Sequence, residues 1–382
     1  MTVLFLNSSS DLYGSSRILI EVVKTYKEAG IIPVVVMSDP GPLQTHFLEL
    51  GITVHIQNLG ILRRKYVNFS GLINRVRKNF EAFRFLDQLN SEYQFELVYS
   101  NTLAVLAGAH WAKRNNIPHI WHIHEILLGP RPLVSLLRRL LDSTTPFPIV
   151  VSEAVRNHWT NQLQRSKPVV IHNGISYDQF LLPEDRNALN LEIAENKVII
   201  TMVGRINPGK GQRFFLEMAK VISASYPQCH FLMVGDPYPG YEYVQDEIQQ
   251  FILDNSLENC VTNLGFRNDI ASLLNSTDIF VLPSILPDSF PTVILEAMAA
   301  SCPVVATQSG GASEMVLEGE TGYLIPINDL NKGVNALFSL ILDPELREKF
   351  GSAGRNRVLQ EFSLDSFRKN IENHLWQQLR KN

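Results

Sequence analysis

Short apolar runs recur along this 382-residue chain, each followed by a stretch with helical spacing, and the whole alternation occurs twice. In the first series the runs are Thr2 to Asn7, Ile32 to Met37, Thr53 to Ile56, Leu97 to Ser100, His119 to His124 and Ile149 to Val151, with helical patterns such as Ser16 to Ala29 and Leu103 to Arg114 between them. The second series is Val198 to Val203, Cys229 to Val234, Val261 to Leu264, Ile279 to Leu282 and Val304 to Ala306. Strands separated by helices pair in parallel through crossovers, so each series predicts a doubly wound α/β sheet with helices on both faces. Two such sheets in succession predict two Rossmann-like domains facing a central cleft. The Asn173-Gly174 turn signal sets the junction near His172. Expected domains are then 1–172 and 173–364, and an amphipathic helix over Asp365 to Arg380 makes a third segment, 365–382.

Composition narrows the setting. A hydrophobic content of 45% is ample for two cores. Cys229, Cys260 and Cys302 form no close pair and have no metal-ligand spacing, which suits buried thiols in a reducing cytosol. Met1 to Leu6 is too short for a signal-peptide core and reads as a first strand. No apolar run approaches the roughly 20 residues of a spanning helix, so a cytoplasmic protein is expected. The net charge of −4 hides an asymmetry: 18 basic residues stand against 12 acidic ones up to His172, leaving the first part at +6 and the rest at −10. The positive excess gathers at Arg63, Arg64, Lys65, Arg75, Arg77, Lys78 and Arg84, interleaved with Phe69, Phe80, Phe83 and Phe85, and again at Arg131, Arg138 and Arg139 among leucines. Such a surface suits either an anionic membrane face or plain solvated helices. Nucleic acid is disfavoured as a partner, because the total charge is negative and no binding motif accompanies the patch.

Four segments carry candidate chemistry. In the first, Asp288, Ser289, Phe290, Pro291, Thr292, Val293 and Glu296 span a helix start. Pro291 is placed at the first helical position with Ser289 or Phe290 as cap, so the free N–H groups of Phe290, Thr292 and Val293 and the positive helix end suit a diphosphate. Glu296 then lies back along the helix within reach of ribose hydroxyls, and Asp288 beside the sugar; the plain alternative is two surface acids of an amphipathic helix. In the second, Gly204, Arg205, Gly209, Lys210 and Gly211 follow a strand and come within one residue of a P-loop, but Gly211 stands where a metal-ligating Ser or Thr is required. The third is His119, His122, His124 and Glu125. Alternation puts His122 and His124 on one strand face, yet no cysteine or distant matching carboxylate accompanies them and no metal is expected. The fourth is Gly310, Gly311 and Glu314 after a strand, where glycines permit close backbone approach to a ligand.

Together these segments resemble the retaining glycosyltransferases of the GT4 family, which have the GT-B fold, over nearly the whole chain. The family's Glu, seven residues, Glu pattern falls on Asp288 and Glu296, with the first acid one methylene shorter here. The resemblance implies that Asp288 lies near the donor sugar, Glu296 on the ribose, and that Arg205 and Lys210 neutralise the donor diphosphate, Arg205 by a forked contact and Lys210 as a point charge. It implies that Phe266 and Arg267 flank the base, that Gly310, Gly311 and Glu314 line the donor site, and that His124 contacts the sugar near the reacting centre. Gly235 follows a strand as a further donor-side turn. Gly14 and Ser15 match the family's glycine-rich loop, Ser15 replacing its second glycine. By the same resemblance the last helix crosses back to the first domain, which recognises the acceptor. The expected reaction transfers a hexosyl unit from a UDP-sugar, UDP-glucose being favoured, to a saccharide or polyprenyl-linked saccharide, with retention and no cofactor, the nucleotide-sugar being a substrate. A UDP-sugar epimerase or a non-catalytic nucleotide-sugar binding subunit are the rival classes.

Overall fold

The first apolar run is a strand, β1 (Thr2–Asn7), an interior strand of a seven-stranded parallel sheet. Its companions are β2 (Ile32–Met37), β3 (Thr53–Ile56), β4 (Leu97–Asn101), β5 (His119–Ile123), β6 (Ile149–Val150) and β7 (Val169–Val170), in the order β3-β2-β1-β4-β5-β6-β7. A second, six-stranded parallel sheet is built from β8 (Val198–Val203), β9 (Cys229–Val234), β10 (Val261–Asn263), β11 (Ile279–Leu282), β12 (Val304–Thr307) and β13 (Gly322–Ile325), ordered β10-β9-β8-β11-β12-β13. This computed structural model describes residues 1–12, 14–61, 69–161, 163–182, 193–194 and 196–381. It divides into two compact units, Met1–Gly174 with Leu364–Asn382, and Ile175–Ser363.

Central strands covered on both faces read as unbroken apolar runs. In the first unit, Leu4, Leu6, Val34, Val36 and Val98 are buried against Leu86, Leu89 and Trp111 from flanking helices. In the second, Ile200, Met202, Phe231 and Val281 pack with Phe215, Met218, Leu337 and Leu340. Each fully buried side chain of this size stabilises by about 1.5–3 kcal/mol. Two strands escaped the sequence pattern. β7 has two residues, too few for any period. β13 opens on Gly322, where a Cβ would fall 1.9 Å from the carbonyl oxygen of Val304, so the residue that lets the strand dock also breaks its apolar signature.

Strand order reverses between β1 and β4 and again between β8 and β11. The chain leaves the carboxyl ends of these neighbours toward opposite sides of the sheet, which opens a crevice there. In the first unit that crevice is bordered by Asn7 and Asn101, and in the second by Val203 and Leu282. The last helix, Leu364–Lys381, belongs to the first unit, where Arg368 pairs with Glu21 at 2.7 Å and His374 Nε2 lies 2.9 Å from the Phe147 carbonyl.

The basic, aromatic surface is smaller than the sequence suggests. Tyr13, Arg63, Arg64 and Lys65 lie outside the described residues, as does the side chain of Phe69. On the helix Phe69–Tyr93, Phe83 and Phe85 pack on the core, while Arg77 and Lys78 share Glu81 at 3.2 and 2.6 Å. What remains outward is Ile73, Val76 and Phe80 with Arg77 and Arg84, residues whose spacing puts them on one face. In the helix Arg131–Thr144, Arg138 turns inward, donating to the His158 carbonyl at 2.7 Å over the Trp159 ring. Among the described residues no helix is long and apolar enough to cross a membrane.

Candidate active site

At the crevice of the second unit the segment 204–211 turns tightly from β8 into the helix Gln212–Ser225. Asn207 Oδ1 accepts the Gly209 N–H at 2.9 Å, and the buried Gln212 donates to the Arg205 carbonyl at 3.1 Å. Gly211 has a φ of 76°, and a Cβ there would meet the Pro283 carbonyl oxygen at 1.9 Å. The residue that cannot serve a P-loop metal is therefore fixed by contact with the neighbouring strand's exit. The loop after β11 returns that contact, with the N–H groups of Ile285 and Leu286 donating to the Gly209 carbonyl at 2.9 and 3.2 Å. These bonds bring Lys210 onto Asp288, with which it forms an ion pair whose members are both largely shielded. The guanidinium of Arg205 lies 5.3 Å from the centre of the Tyr238 ring, a cation–π contact for which the sequence offered no signal.

The helix beyond Asp288 starts one residue later than expected, and its burial removes the plain alternative. It spans Thr292–Ala299, and Pro291, with extended ψ of 94°, is its cap and not its first residue. The locked ring suits either position, and the start moves by one. Neither Ser289 nor Phe290 caps it, and Phe290 is buried against Phe362 with ring centres 5.9 Å apart, so only its backbone is placed to meet a ligand. Thr292 and Val293 are half-buried at the open first turn. The helix is not amphipathic: Ile294, Leu295, Glu296, Ala297, Met298 and Ala299 are all buried. Glu296, 8% exposed, is no ordinary surface acid, and burial first, then the Glu296 charge, pushes the Tyr177 phenol above its usual range. The Gly310-Gly311 pair also has a role other than expected. Cβ atoms there would meet the Asp288 and Ser289 carbonyl oxygens at 1.9 and 2.4 Å, and Gly311 N–H donates to Asp288 at 2.8 Å. The close backbone approach is to the Asp288 loop itself. Glu314 follows half-buried in the short helix Ala312–Met315.

Two more strand ends complete the rim. Gly235, at a φ of 137°, abuts the Gly204 carbonyl and donates to the Gly265 carbonyl at 2.8 Å. Asp236 Oδ1 accepts the Phe266 N–H at 3.0 Å, which leaves the Phe266 ring half exposed and available for stacking. Arg267 is held by Asp269, its Nε donating to Oδ1 at 2.8 Å.

The first unit gathers a polar cluster at its own crevice. Asn101 Nδ2 donates to Asn7 Oδ1 at 3.0 Å and to the Ser15 carbonyl at 3.1 Å, and Asn101 Oδ1 lies 2.9 Å from His124 Nε2. Gly14 and Ser15 thus open the helix Gly14–Glu28 with a carbonyl turned onto Asn101. The His124 and His122 rings lie 4.1 Å apart, and His122 Nδ1 is 2.7 Å from the Tyr99 hydroxyl. His119 spends both ring nitrogens on the hydroxyls of Thr145 and Ser100, at 2.7 and 2.9 Å. Burial pulls His119 and His124 down to about 3. Among the described residues no three His, Cys, Asp or Glu side chains are grouped to hold a metal. Asn7 and Asn101 went unmarked in the sequence, since a strand-terminal Asn is a commonplace.

Glu125 Oε2 accepts the His124 N–H at 3.0 Å and the Leu103 N–H at 3.4 Å, and burial outweighs these bonds to push its carboxyl up to about 7. The folded chain keeps this proton to about pH 7, whereas an unfolded Glu releases it near 4.5. Its contribution is full below 4.5 and is lost as pH rises through 7. The depressed histidines act oppositely: their contribution is present above 6.5 and lost as pH falls toward 3. Glu125→Gln removes only the first term, so its melting temperature is expected to gain on the wild type increasingly from pH 5 to 8. A constant difference between the two melts would show that the carboxyl is not buried in its neutral form.

Two family models match the chain in succession: Glycosyltransferase Family 4 matches residues 13–179, and Glycosyl transferases group 1 matches residues 184–357. The chain belongs to the GT4-type glycosyltransferases and has the GT-B fold. Within this family, the UDP-Gal:alpha-D-GlcNAc-diphosphoundecaprenol alpha-1,3-galactosyltransferase of Escherichia coli is 32% identical over 200 residues, 51% of this chain and 50% of that protein. The lipopolysaccharide 1,2-N-acetylglucosaminetransferase of Salmonella typhimurium is 27% identical over 240 residues, 59% of this chain and 61% of that one. The chain therefore spans about half to three-fifths of the length of these relatives. Among solved structures, Anabaena HepE in complex with UDP-glucose superposes with a TM-score of 0.85 at 26% identity, covering 99% of this chain and 100% of that chain.

Proposed function

We propose that this GT4-type chain transfers a hexosyl unit from a UDP-sugar, UDP-glucose in the first instance, to a saccharide or polyprenyl-linked saccharide acceptor in envelope, capsule or exopolysaccharide assembly. The observation that carries it is the pairing, at the crevice of the second unit, of Lys210 with Asp288, just before the helix that buries Glu296, with Arg205 on the same strand-exit segment as Lys210. Arg205, Lys210 and the Thr292 and Val293 N–H groups receive the diphosphate, whose charge grows as the glycosidic bond breaks. These fixed cations do the work of a metal, and the reaction needs none. Glu296 accepts from the ribose, Phe266 and Arg267 flank the base, and Asp288 and His124 address the sugar. Transfer proceeds with retention. The complexes of HepE with UDP and with UDP-glucose support the choice of donor, and the diphosphoundecaprenol substrate in the name of the E. coli relative supports the choice of acceptor.

A thermal-shift screen of UDP, GDP, ADP and their sugar conjugates tests this directly. A ligand present at 100 times its dissociation constant stabilises by roughly 2.7 kcal/mol, and UDP and UDP-glucose are expected to give the largest shifts. A larger response to GDP or ADP conjugates would overturn the choice of base. Release of UDP only when acceptor is present distinguishes the transferase from an epimerase, which converts UDP-sugar alone, and from a binding subunit, which releases nothing. The outward face of Ile73, Val76, Phe80, Arg77 and Arg84 is proposed to rest on anionic membrane, which brings a lipid-linked acceptor within reach. Sedimentation with anionic vesicles that weakens with salt is the expected result, and equal recovery with neutral vesicles removes the idea.

A further inference from the structure

We propose that Asn101, oriented by Asn7 and the Ser15 carbonyl, is a positioning residue that fixes His124 as its Nε2–H tautomer, so that His124 meets the donor sugar as a hydrogen-bond acceptor through Nδ1. The direction of every bond in the chain is set by backbone carbonyls, which only accept. Asn7 Nδ2 lies 2.7 Å from the Ser9 carbonyl, so the Asn7 amide nitrogen is on that side and its oxygen faces Asn101. Asn101 Nδ2 reaches both that oxygen at 3.0 Å and the Ser15 carbonyl at 3.1 Å, so the Asn101 oxygen faces His124. An amide oxygen 2.9 Å from Nε2 has no proton to give, and the hydrogen must sit on the imidazole. The ring is neutral, so Nδ1 carries a lone pair, and it has no hydrogen-bond partner among the described residues.

The surroundings hold the ring in this form. The His122 ring, two residues earlier on β5, lies tilted at 4.1 Å, and its own neighbour His374 adds a further ring of the same type. Glu125 clamps the His124 backbone through N–H to Oε2 at 3.0 Å. Asn7 and Asn101 are themselves fully buried, one at the end of each strand that borders the crevice. A ring so arranged accepts a hydroxyl proton in a hydrogen bond and neither carries a positive charge nor delivers an acid proton. The inference rests on the reading of His124 as a donor-side group, and its first test is independent of that reading.

The test is a long-range ¹H–¹⁵N correlation spectrum of the histidine rings in the full chain, with His124→Asn to assign the signal. The wild-type His124 ring is expected as the neutral Nε2–H tautomer, without titration from pH 5.5 to 8. Asn101→Asp puts a carboxylate against Nε2, and the ring should then take a second proton with a midpoint inside that range. An Nδ1–H tautomer, a wild-type ring that titrates near 6.5, or an Asn101→Asp ring unchanged from wild type would each overturn the assignment. The second arm is kinetic. Asn101→Asp is expected to lower kcat at least ten-fold, with partial recovery above the new midpoint and a smaller change in donor KM, whereas a merely structural role would alter the melting temperature without a new pH dependence. If the spectra behave as stated while transfer is unaffected, the positioning role in the reaction falls and the reading of His124 as donor-side falls with it. The thermal-shift response to UDP still reports separately on the second unit.

Discussion

Arg205→Ala and Lys210→Ala should each lower kcat by roughly 10²–10³-fold, a loss of the order seen when one fixed donor to a developing charge is removed. The effect falls on kcat because the leaving diphosphate gains charge as its bond to the sugar breaks. A cation opposite it then binds the transition state better than the ground state, and uniform binding would instead appear in KM. Arg205→Lys keeps the charge and loses the forked geometry, so an intermediate loss is expected. Lys210→Ala has a second consequence, since it leaves Asp288 without the ammonium that pairs with it. Asp288→Asn and the double variant separate the two effects. If Lys210 acts only by holding Asp288, the double variant is no worse than Asp288→Asn; if it acts on the diphosphate, the losses compound. Steady-state rates with UDP-glucose and an acceptor decide, and a Lys210→Ala enzyme with normal kcat would remove Lys210 from the reacting end of the donor.

Gly310→Ala is expected to be among the most damaging single methyl groups in the second unit. At a φ of 58° the new side chain incurs about 1–2 kcal/mol for its left-handed backbone, and its Cβ is aimed at the Asp288 carbonyl oxygen from 1.9 Å. Backbone must move to relieve that contact, adding about 1–3 kcal/mol. A total near 3 kcal/mol corresponds to a fall of roughly 6–12 °C in melting temperature for a unit of this size. Because Gly311 N–H also donates to the Asp288 carbonyl, the shift displaces the carboxylate together with the loop, and donor affinity should drop in parallel. Gly319→Ala, at a φ of 73° with open space around it, is the control for backbone conformation alone. Equal melting temperatures for the two would show that the Asp288 loop accommodates the methyl group freely.

The strands were legible in sequence where burial on both faces made them continuous, as in Ile32–Met37 and Cys229–Val234. The pairs of strands that flank each reversal, and hence the place of each crevice, follow from topology that no local pattern records. Motif spacing singled out Arg205, Lys210, Asp288 and Glu296, because the first three lie in strand-exit loops with their own turn chemistry and the last follows a helix start. Spacing left open whether the helix after Pro291 carries an exposed face; burial of Ile294 through Ala299, set by packing partners distant in the chain, removes that alternative. The glycine signal at Gly310 marked a close approach without naming the neighbour, which is the backbone at Asp288. Asn101 and Tyr238 were invisible because single polar or aromatic residues acquire meaning only through what they touch.

On the proposed function, the Lys210–Asp288 pair makes donor binding an exchange of partners. One cation is paired with a carboxylate of the neighbouring loop, and a bare anion that draws Lys210 away strands Asp288 beside new negative charge. Inorganic phosphate or sulfate therefore meets a repulsive element as well as an attractive one, and selectivity arises from both. A pyrophosphate that arrives with a polyol attached brings hydroxyl donors for the displaced acid, so the guest most able to break the internal contact is the one able to mend it.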